Sequence, residues 1–422
     1  MTKRLLIFTA FLICNSFQTF SQNTAKWNVL FGCEDFTGLK IKDLPEEIPN
    51  RISQTAEGNY YITGTNSLGD GVAKPNTIGV WVAHFSSAGK LLWWKIAHPN
   101  NFYLFPGLMC TTQSGDLIMG ASTGGSDIGV EDDGISIFQI SKNGTDQTEK
   151  KIPVTDLCVS GKCPAQGGVP FAIWENSDKS ILMVVRAEFR EEELKDGIIY
   201  NNLKSKYLLV TLTAGMTVKD VVMLPVTDNF GPVFCKNTPD GRFFFTQAYE
   251  NSSLIYAFSS NGELLHQEEV KTKSEIVFNN IFPQKDNTAI MHICSGPDNK
   301  RENQFILFGT DSKPLSEKIK IPYAGYLCQI FKADNDFVVA SQNGIGESQI
   351  TLIKYTKDGT EKWKKIFGTK RTLVEDAIQT NDDGYAVIGY TRDYGAVYVD
   401  VLIIKTDSEG STDALPKKYQ KQ

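Results

Sequence analysis

Histidine is scarce in this chain, basic residues do not outnumber acidic ones, and long apolar or helix-patterned runs are missing. Lys and Arg total 43 against 49 Asp and Glu, with no basic run. Nucleic acid and anionic membrane surfaces are therefore poor candidates as partners. A membrane helix needs roughly 20 consecutive apolar residues, and no stretch provides them, so no membrane insertion is expected once the leader described below is removed. Long amphipathic helical patterns are absent, which points away from α-rich folds. Only four histidines occur, and His84, His266 and His292 fall inside expected strands, leaving His98 alone among the loops.

What is present begins with a leader. Lys3 and Arg4 precede the apolar run Leu5–Cys14, and the small residues Thr19 and Ser21 sit at −3 and −1 of a cut before Gln22. This is the pattern of a cleaved export signal, so residues 1–21 are read as a signal peptide and 22–422 as one domain. Losing Lys3 and Arg4 takes the formal charge from −6 to −8. The expected location is periplasmic or extracellular. Of the remaining cysteines, Cys110, Cys235 and Cys328 lie on apolar strands, where a free thiol behaves as a small hydrophobe. Cys158 and Cys163 bracket VSGK in a loop, and an oxidising space would let them form a disulfide. A zinc half-site is the rival, but no second Cys/His pair has the spacing.

Two series of turns mark a period. One follows the first strand of each unit, with its turn residue at Gly58, Gly115, Asp178, Gly241, Asp286, Asp334 and Gly384. The other follows the third strand, at Gly89, Gly144, Gly215, Gly262, Ser312, Gly359 and Gly410. Gly, Asn and Asp supply the positive-φ positions of hairpins, and short alternating strands lie between the turns. The series alternate seven times. This predicts an all-β fold, a seven-bladed β-propeller of four-stranded antiparallel blades. A sandwich does not usually repeat seven times, and a solenoid would not carry two tight turns per unit. The segment after Gly410 is a poor strand, whereas Trp27–Gly32 (WNVLFG) matches the fourth strand Trp363–Gly368 (WKKIFG). The N-terminal strand is therefore expected to complete the last blade and close the ring.

The motifs TNDDGYAVIGYT, VLIIKTDSEG and FSSAGKLLWWKI resemble repeats of secreted bacterial β-propellers, including the quinoprotein-like class with its T-G-x-x-x-W turn. The similarity is clearest in units one, six and seven; units three to five carry no tryptophan in their fourth strands. The resemblance implies the fold strongly and function weakly, because propellers host enzymes, adhesins and assembly scaffolds.

In a four-stranded meander the turns after strands one and three share a face, and the connections after strands two and four share the other. The second face carries the long segments: 66–78, 122–134, 187–205, 295–303 and the 153–170 connection. Long loops on a rigid scaffold are where binding residues concentrate. Ligand contacts are expected from His98, Phe102, Tyr103, Asp228, Phe230, Tyr323, Tyr326, Arg392, Asp393 and Tyr394, whose rings and polar groups suit sugar faces or peptide side chains. The same rings could instead fill gaps between blades. Asp127, Glu131, Asp132 and Asp133 cluster in one loop without matching a calcium-loop spacing, so no cofactor is expected, with calcium the alternative there. Residues 190–196 read as a solvated excursion with a short helical turn. Gly120–Gly124 fits G-x-S-x-G, but at a strand end rather than the strand-to-helix turn that motif needs. No local catalytic motif results. The sequence thus points to a monomeric exported protein binding a glycan, peptide or envelope protein, the alternative being a polysaccharide hydrolase or lyase whose two carboxylates come from different units.

Overall fold

The computed structural model describes residues 25–31, 45–68, 79–98, 108–122, 134–195, 198–226, 233–297, 302–321, 326–334, 336–343, 348–392 and 399–414. The leader, Cys33 and the acidic loop 123–133 lie outside them.

The strands form seven four-stranded antiparallel sheets. Six are consecutive meanders: blade one spans residues 45–98, blade two 109–153, blade three 166–223, blade four 233–271, blade five 276–321 and blade six 326–367. Blade seven takes three strands from 372–406, and its outermost strand is Trp27–Phe31. That strand pairs from Trp27↔Lys405 to Phe31↔Val401. The expected closure is the observed one.

Burial follows blade geometry. Middle strands are packed between two neighbouring blades, so both faces must be apolar. Ala289–Ser295 is buried throughout, and Phe243–Tyr249 nearly so. Outermost strands meet water: in Glu361–Phe367, exposed and partly buried residues alternate. The buried residues divide into seven clusters, each across one junction between adjacent blades. The junction of blades seven and one is no exception, with Trp27, Val401 and Ile403 packed beside Ile62 and Trp81.

Thirteen of the short turns share one hydrogen-bond scheme, in which the third turn residue donates to the residue before the turn. In the first of them Gly58 N–H donates to Thr55 C=O at 3.0 Å and Thr55 N–H to Asn59 C=O at 2.8 Å. The third turn residue takes positive φ. This corrects four assigned positions: the left-handed residues are Lys179, Met216, Asn287 and Asp383, not Asp178, Gly215, Asp286 and Gly384. The turn's register, set by hydrogen bonds, outweighs the preference for glycine.

The fourth-strand tryptophans have a structural use. The Trp27 indole donates to Ser87 C=O at 2.9 Å, and Trp93 to Lys142 C=O at 2.9 Å, each in the turn of the following blade. Their rings occupy the space where Gly89 and Gly144 would place a Cβ, 2.5 and 2.6 Å away. Trp363 lies over Gly410 in the same way, at 2.8 Å. In blades three and five, which follow blades without a fourth-strand tryptophan, the same turn position holds Met216 and Ser312.

Two features of the long-connection face also emerge. Cys158 and Cys163 form a disulfide. The 187–205 stretch is not a loop with a helical turn: it belongs to a hairpin of two 15-residue strands, Ile181–Lys195 and Ile198–Leu212. Cross-strand pairing can sustain a sequence rich in glutamate that intrinsic propensity would not place in a strand. Of the three thiols expected to be small core groups, Cys235 is buried and Cys110 partly buried, while the side chain of Cys328 is outside the described residues.

Candidate functional site: the central channel

Each blade contributes its first strand to the wall of a central channel. These strands are Pro45–Gln54, Met109–Thr111, Gln166–Glu175, Val233–Asn237, Ile276–Pro283, Tyr326–Ala333 and Thr372–Gln379. Five of them break register midway, at Pro49/Arg51, Pro170/Ala172, Ile276/Phe278, Leu327/Gln329 and Val374/Asp376. A bulge inserts a residue, bends the strand and re-aims side chains. Here it recurs around the inner rim of the ring.

The channel encloses about 320 Å³ and is lined by Arg51, Met109, Phe171, Lys236, Gln329 and Asp376 among others. Its polar groups come from different blades. Lys236 Nζ donates to Gln329 Oε1 at 3.3 Å and sits 5.1 Å from the centre of the Phe282 ring. Asp376 is buried and joins blades seven and one: Oδ2 accepts from Ile52 N–H at 3.1 Å, and Oδ1 lies 3.4 Å from Arg51 Nη1. Glu375 is the bulge residue beside it. Burial pushes its carboxyl up to about 7, the charge of Asp376 adds to the shift, and Arg51 opposes it. A proton at Glu375 therefore exchanges near neutrality. Glu375 itself is not among the residues lining the cavity; it stands next to Asp376, which is. Perturbed carboxyls of this kind concentrate at functional sites.

A larger cleft of about 530 Å³ opens on the short-turn face, between blades five, six and seven. Several of its charges satisfy each other: Lys332 and Asp286 are 2.5 Å apart, and Lys285 reaches Asp383 at 3.4 Å and Thr380 C=O at 2.8 Å. This is an ionic seam between blades. Among the described residues no group of three His, Cys, Asp or Glu is placed to hold a metal ion.

Most of the expected ligand contacts fall outside the described residues. His98 ends the outermost strand of blade one, opposite Val80, and Tyr326 begins the innermost strand of blade six, opposite Gln342. The side chains of both are outside the described residues. Arg392 follows the second strand of blade seven and is exposed. Phe102, Tyr103, Asp228, Phe230, Tyr323, Asp393 and Tyr394 fall outside the described residues. Sequence reasoning missed Arg51, Lys236, Gln329, Glu375 and Asp376. One signal was available: the adjacent acids in VEDAIQT break the alternation of an innermost strand.

The fold has solved counterparts. A hydrazine synthase chain from Kuenenia stuttgartiensis is 12% identical, over 88% of this chain and 98% of its own, with a TM-score of 0.51. BamB from Moraxella catarrhalis is 8% identical over 90% of this chain and 99% of its own, with a TM-score of 0.42. A NanB sialidase from Streptococcus pneumoniae is 9% identical over 92% of this chain and 71% of its own, with a TM-score of 0.46. At these identities the likeness concerns the fold alone. No protein-family model matches the sequence, and no curated protein does either.

Proposed function

We propose that this protein is an exported, non-enzymatic binding propeller that takes a glycan or peptide group into its central channel from the long-connection side. The observation carrying this reading is the channel wall, in which Arg51, Lys236 and Gln329 converge beside Met109 and Phe171 in about 320 Å³. A few convergent polar groups on an apolar wall are what small-ligand sites require. Export is supported by the leader sequence and by the Cys158–Cys163 disulfide, which suits an oxidising compartment. The aromatic residues of the long connections, Tyr103 and Tyr394 among them, would extend the site outward.

Asp376 weighs against two-carboxylate catalysis in the channel. Both its oxygens are committed, one to Arg51 and one to the Ile52 amide, so it is poorly placed to act as nucleophile or base. Glu375 favours the second reading, a polysaccharide hydrolase or lyase, because a carboxyl with pKa about 7 can donate a proton at neutral pH.

Glycan and peptide arrays probed with mature protein test both readings. Binding that is lost in Lys236→Met, with Tyr103→Ala/Tyr394→Ala weakening it further, supports the proposal. Hits untouched by either variant would overturn it. Polysaccharide cleavage abolished by Glu375→Gln would establish the enzyme instead.

A further inference from the structure

Blade six breaks the pattern of the short-turn face. In the other six blades five residues separate the paired ends of the first two strands, as residues 380–384 separate Gln379 from Tyr385 in blade seven. In blade six the two strands stay paired as far as Ala333↔Asp336. The cleft of about 530 Å³ between blades five, six and seven opens where this turn is shorter. Lys285 of blade five reaches past it and donates to Thr380 C=O of blade seven at 2.8 Å.

The junction of blades seven and one shows what a full-length turn does. Gln54 pairs with Tyr60 across the first two strands of blade one, and its Nε2 donates to the Tyr60 hydroxyl at 3.0 Å. From the turn of blade seven, Asn381 N–H donates to Gln54 Oε1 at 2.8 Å. In that same turn Asp382 lies 3.0 Å from the buried Lys405 ammonium. One junction earlier the same three positions hold Gln379, Tyr385 and Lys354. Gln379 pairs with Tyr385, and Lys354 stands opposite Val338 as Lys405 stands opposite Ala386. Here none of the three side chains has a hydrogen-bond or ion-pair partner among the described residues. Asp336, an acid that the shorter turn keeps, is held instead by Lys362 at 2.6 Å. Tyr385 is only 1% exposed, yet it lines the cleft together with Gln379 and Lys354.

A buried polar group without a partner costs free energy that a ligand can recover by completing it. The neighbouring junction shows which groups complete these positions: an N–H on the glutamine oxygen, and a carboxylate on the lysine. A small molecule carrying both an amine and an acid supplies the two at once. Burial raises the pKa of the Tyr385 phenol, and the carboxylates of Glu409, Asp383 and Asp334 raise it further. Asp383 is already paired with Lys285, whereas Asp334 and Glu409 have no ion-pair partner among the described residues. Negative charge around the phenol favours a charged ammonium over a neutral amide as the donor. A cleft of this volume is of the size that holds small ligands. We propose that the cleft between blades five, six and seven binds a free amino acid, its ammonium donating to Gln379 and the Tyr385 hydroxyl and a carboxylate resting on Lys354.

The test screens the common L-amino acids, each at millimolar concentration, against the full chain by saturation-transfer NMR, and titrates the hits calorimetrically. Each hit is compared with its N-acetyl derivative, which lacks the ammonium, and with a carboxylate-free amine of like size. Lys354→Met removes an unpartnered charge and Tyr385→Phe only a hydroxyl, so both should melt close to the parent. At least one amino acid should bind, and affinity should fall about tenfold or more in Lys354→Met, the worth of a charge-assisted hydrogen bond. Tyr385→Phe should weaken binding by a smaller factor, and both comparison compounds should bind about tenfold more weakly or worse. Absence of any hit, or equal affinity in Lys354→Met, would overturn the proposal. Equal binding of the N-acetyl derivative or of the simple amine would overturn recognition of the amino acid as such. A hit lost in Lys236→Met but kept in Lys354→Met would place the amino acid in the channel and overturn this second site, while supporting the first.

Discussion

Replacing Trp27 by alanine should open the ring at its only junction between distant parts of the chain. Trp27 is 8% exposed, stacks edge-on against Tyr60 at 5.5 Å and donates its indole N–H to Ser87 C=O at 2.9 Å. Truncating a buried aromatic to alanine costs about 3–5 kcal/mol, a range that already takes in most of the lost hydrogen bond, itself worth about 1 kcal/mol. A loss of about 4 kcal/mol is expected, a large share of a typical folding free energy. Trp93→Ala is the control: it removes the same kind of indole latch, but its blade is held in the chain on both sides. Urea unfolding gives the stability of each variant, and hydrogen exchange at Trp27–Phe31 reports whether that strand has left blade seven. The expected pattern is a large loss in both variants, with fast exchange of the N-terminal strand only in Trp27→Ala. A Trp27→Ala protein within about 1 kcal/mol of the parent, with the strand still protected, would refute this account of closure.

Other variants probe buried charge. Lys405 is 1% exposed and lies 3.0 Å from Asp382, so Asp382→Asn leaves an uncompensated buried ammonium; a loss of about 3 kcal/mol is expected by chemical denaturation, most of it regained when Lys405→Met is added. His292 is fully buried between Phe278 and Phe305, and burial lowers its pKa to about 4. The unfolded state therefore takes up a proton first, and stability should fall by about 3 kcal/mol as pH drops from about 6.5 to 4. Glu375 acts in the opposite sense: with its pKa raised to about 7, its contribution is full at pH 4 and is lost as pH rises towards 7, by about 2 kcal/mol after allowing for partial exposure. The two nearly cancel, so His292→Gln should give stability that falls with rising pH, and Glu375→Gln stability that rises, as read from urea midpoints between pH 4 and 7. Gly89→Val should destabilise by several kcal/mol in thermal melts, since its φ is +76° and a Cβ would meet the Trp27 ring.

The blades were legible because each is announced locally, by turn residues at both ends of a strand pair. The closure was legible because WNVLFG and WKKIFG share the pattern W-x-x-x-F-G. The channel was harder to see. Arg51, Lys236 and Gln329 belong to three units and meet only when the ring closes, so no spacing in the chain records their proximity. Glu375 and Asp376 stood in plain view, yet only the bulge explains two adjacent acids in a channel-lining strand. The long hairpin of blade three was misread because Glu191–Glu193 disfavour strands, although Asp196–Gly197 between Lys195 and Ile198 is the dipeptide that two-residue hairpins prefer. Lys179 and Met216 occupy left-handed turn positions that composition would have given to glycine.

Entry of a ligand into the channel is tested most directly by one titration. A glycan or peptide identified by array should be titrated calorimetrically into the parent protein and into Lys236→Met, with matched melting temperatures confirming that the ring is intact. Affinity lower by about tenfold or more in the variant is the predicted result. Equal affinity in two equally folded proteins would show that the ligand does not enter the channel.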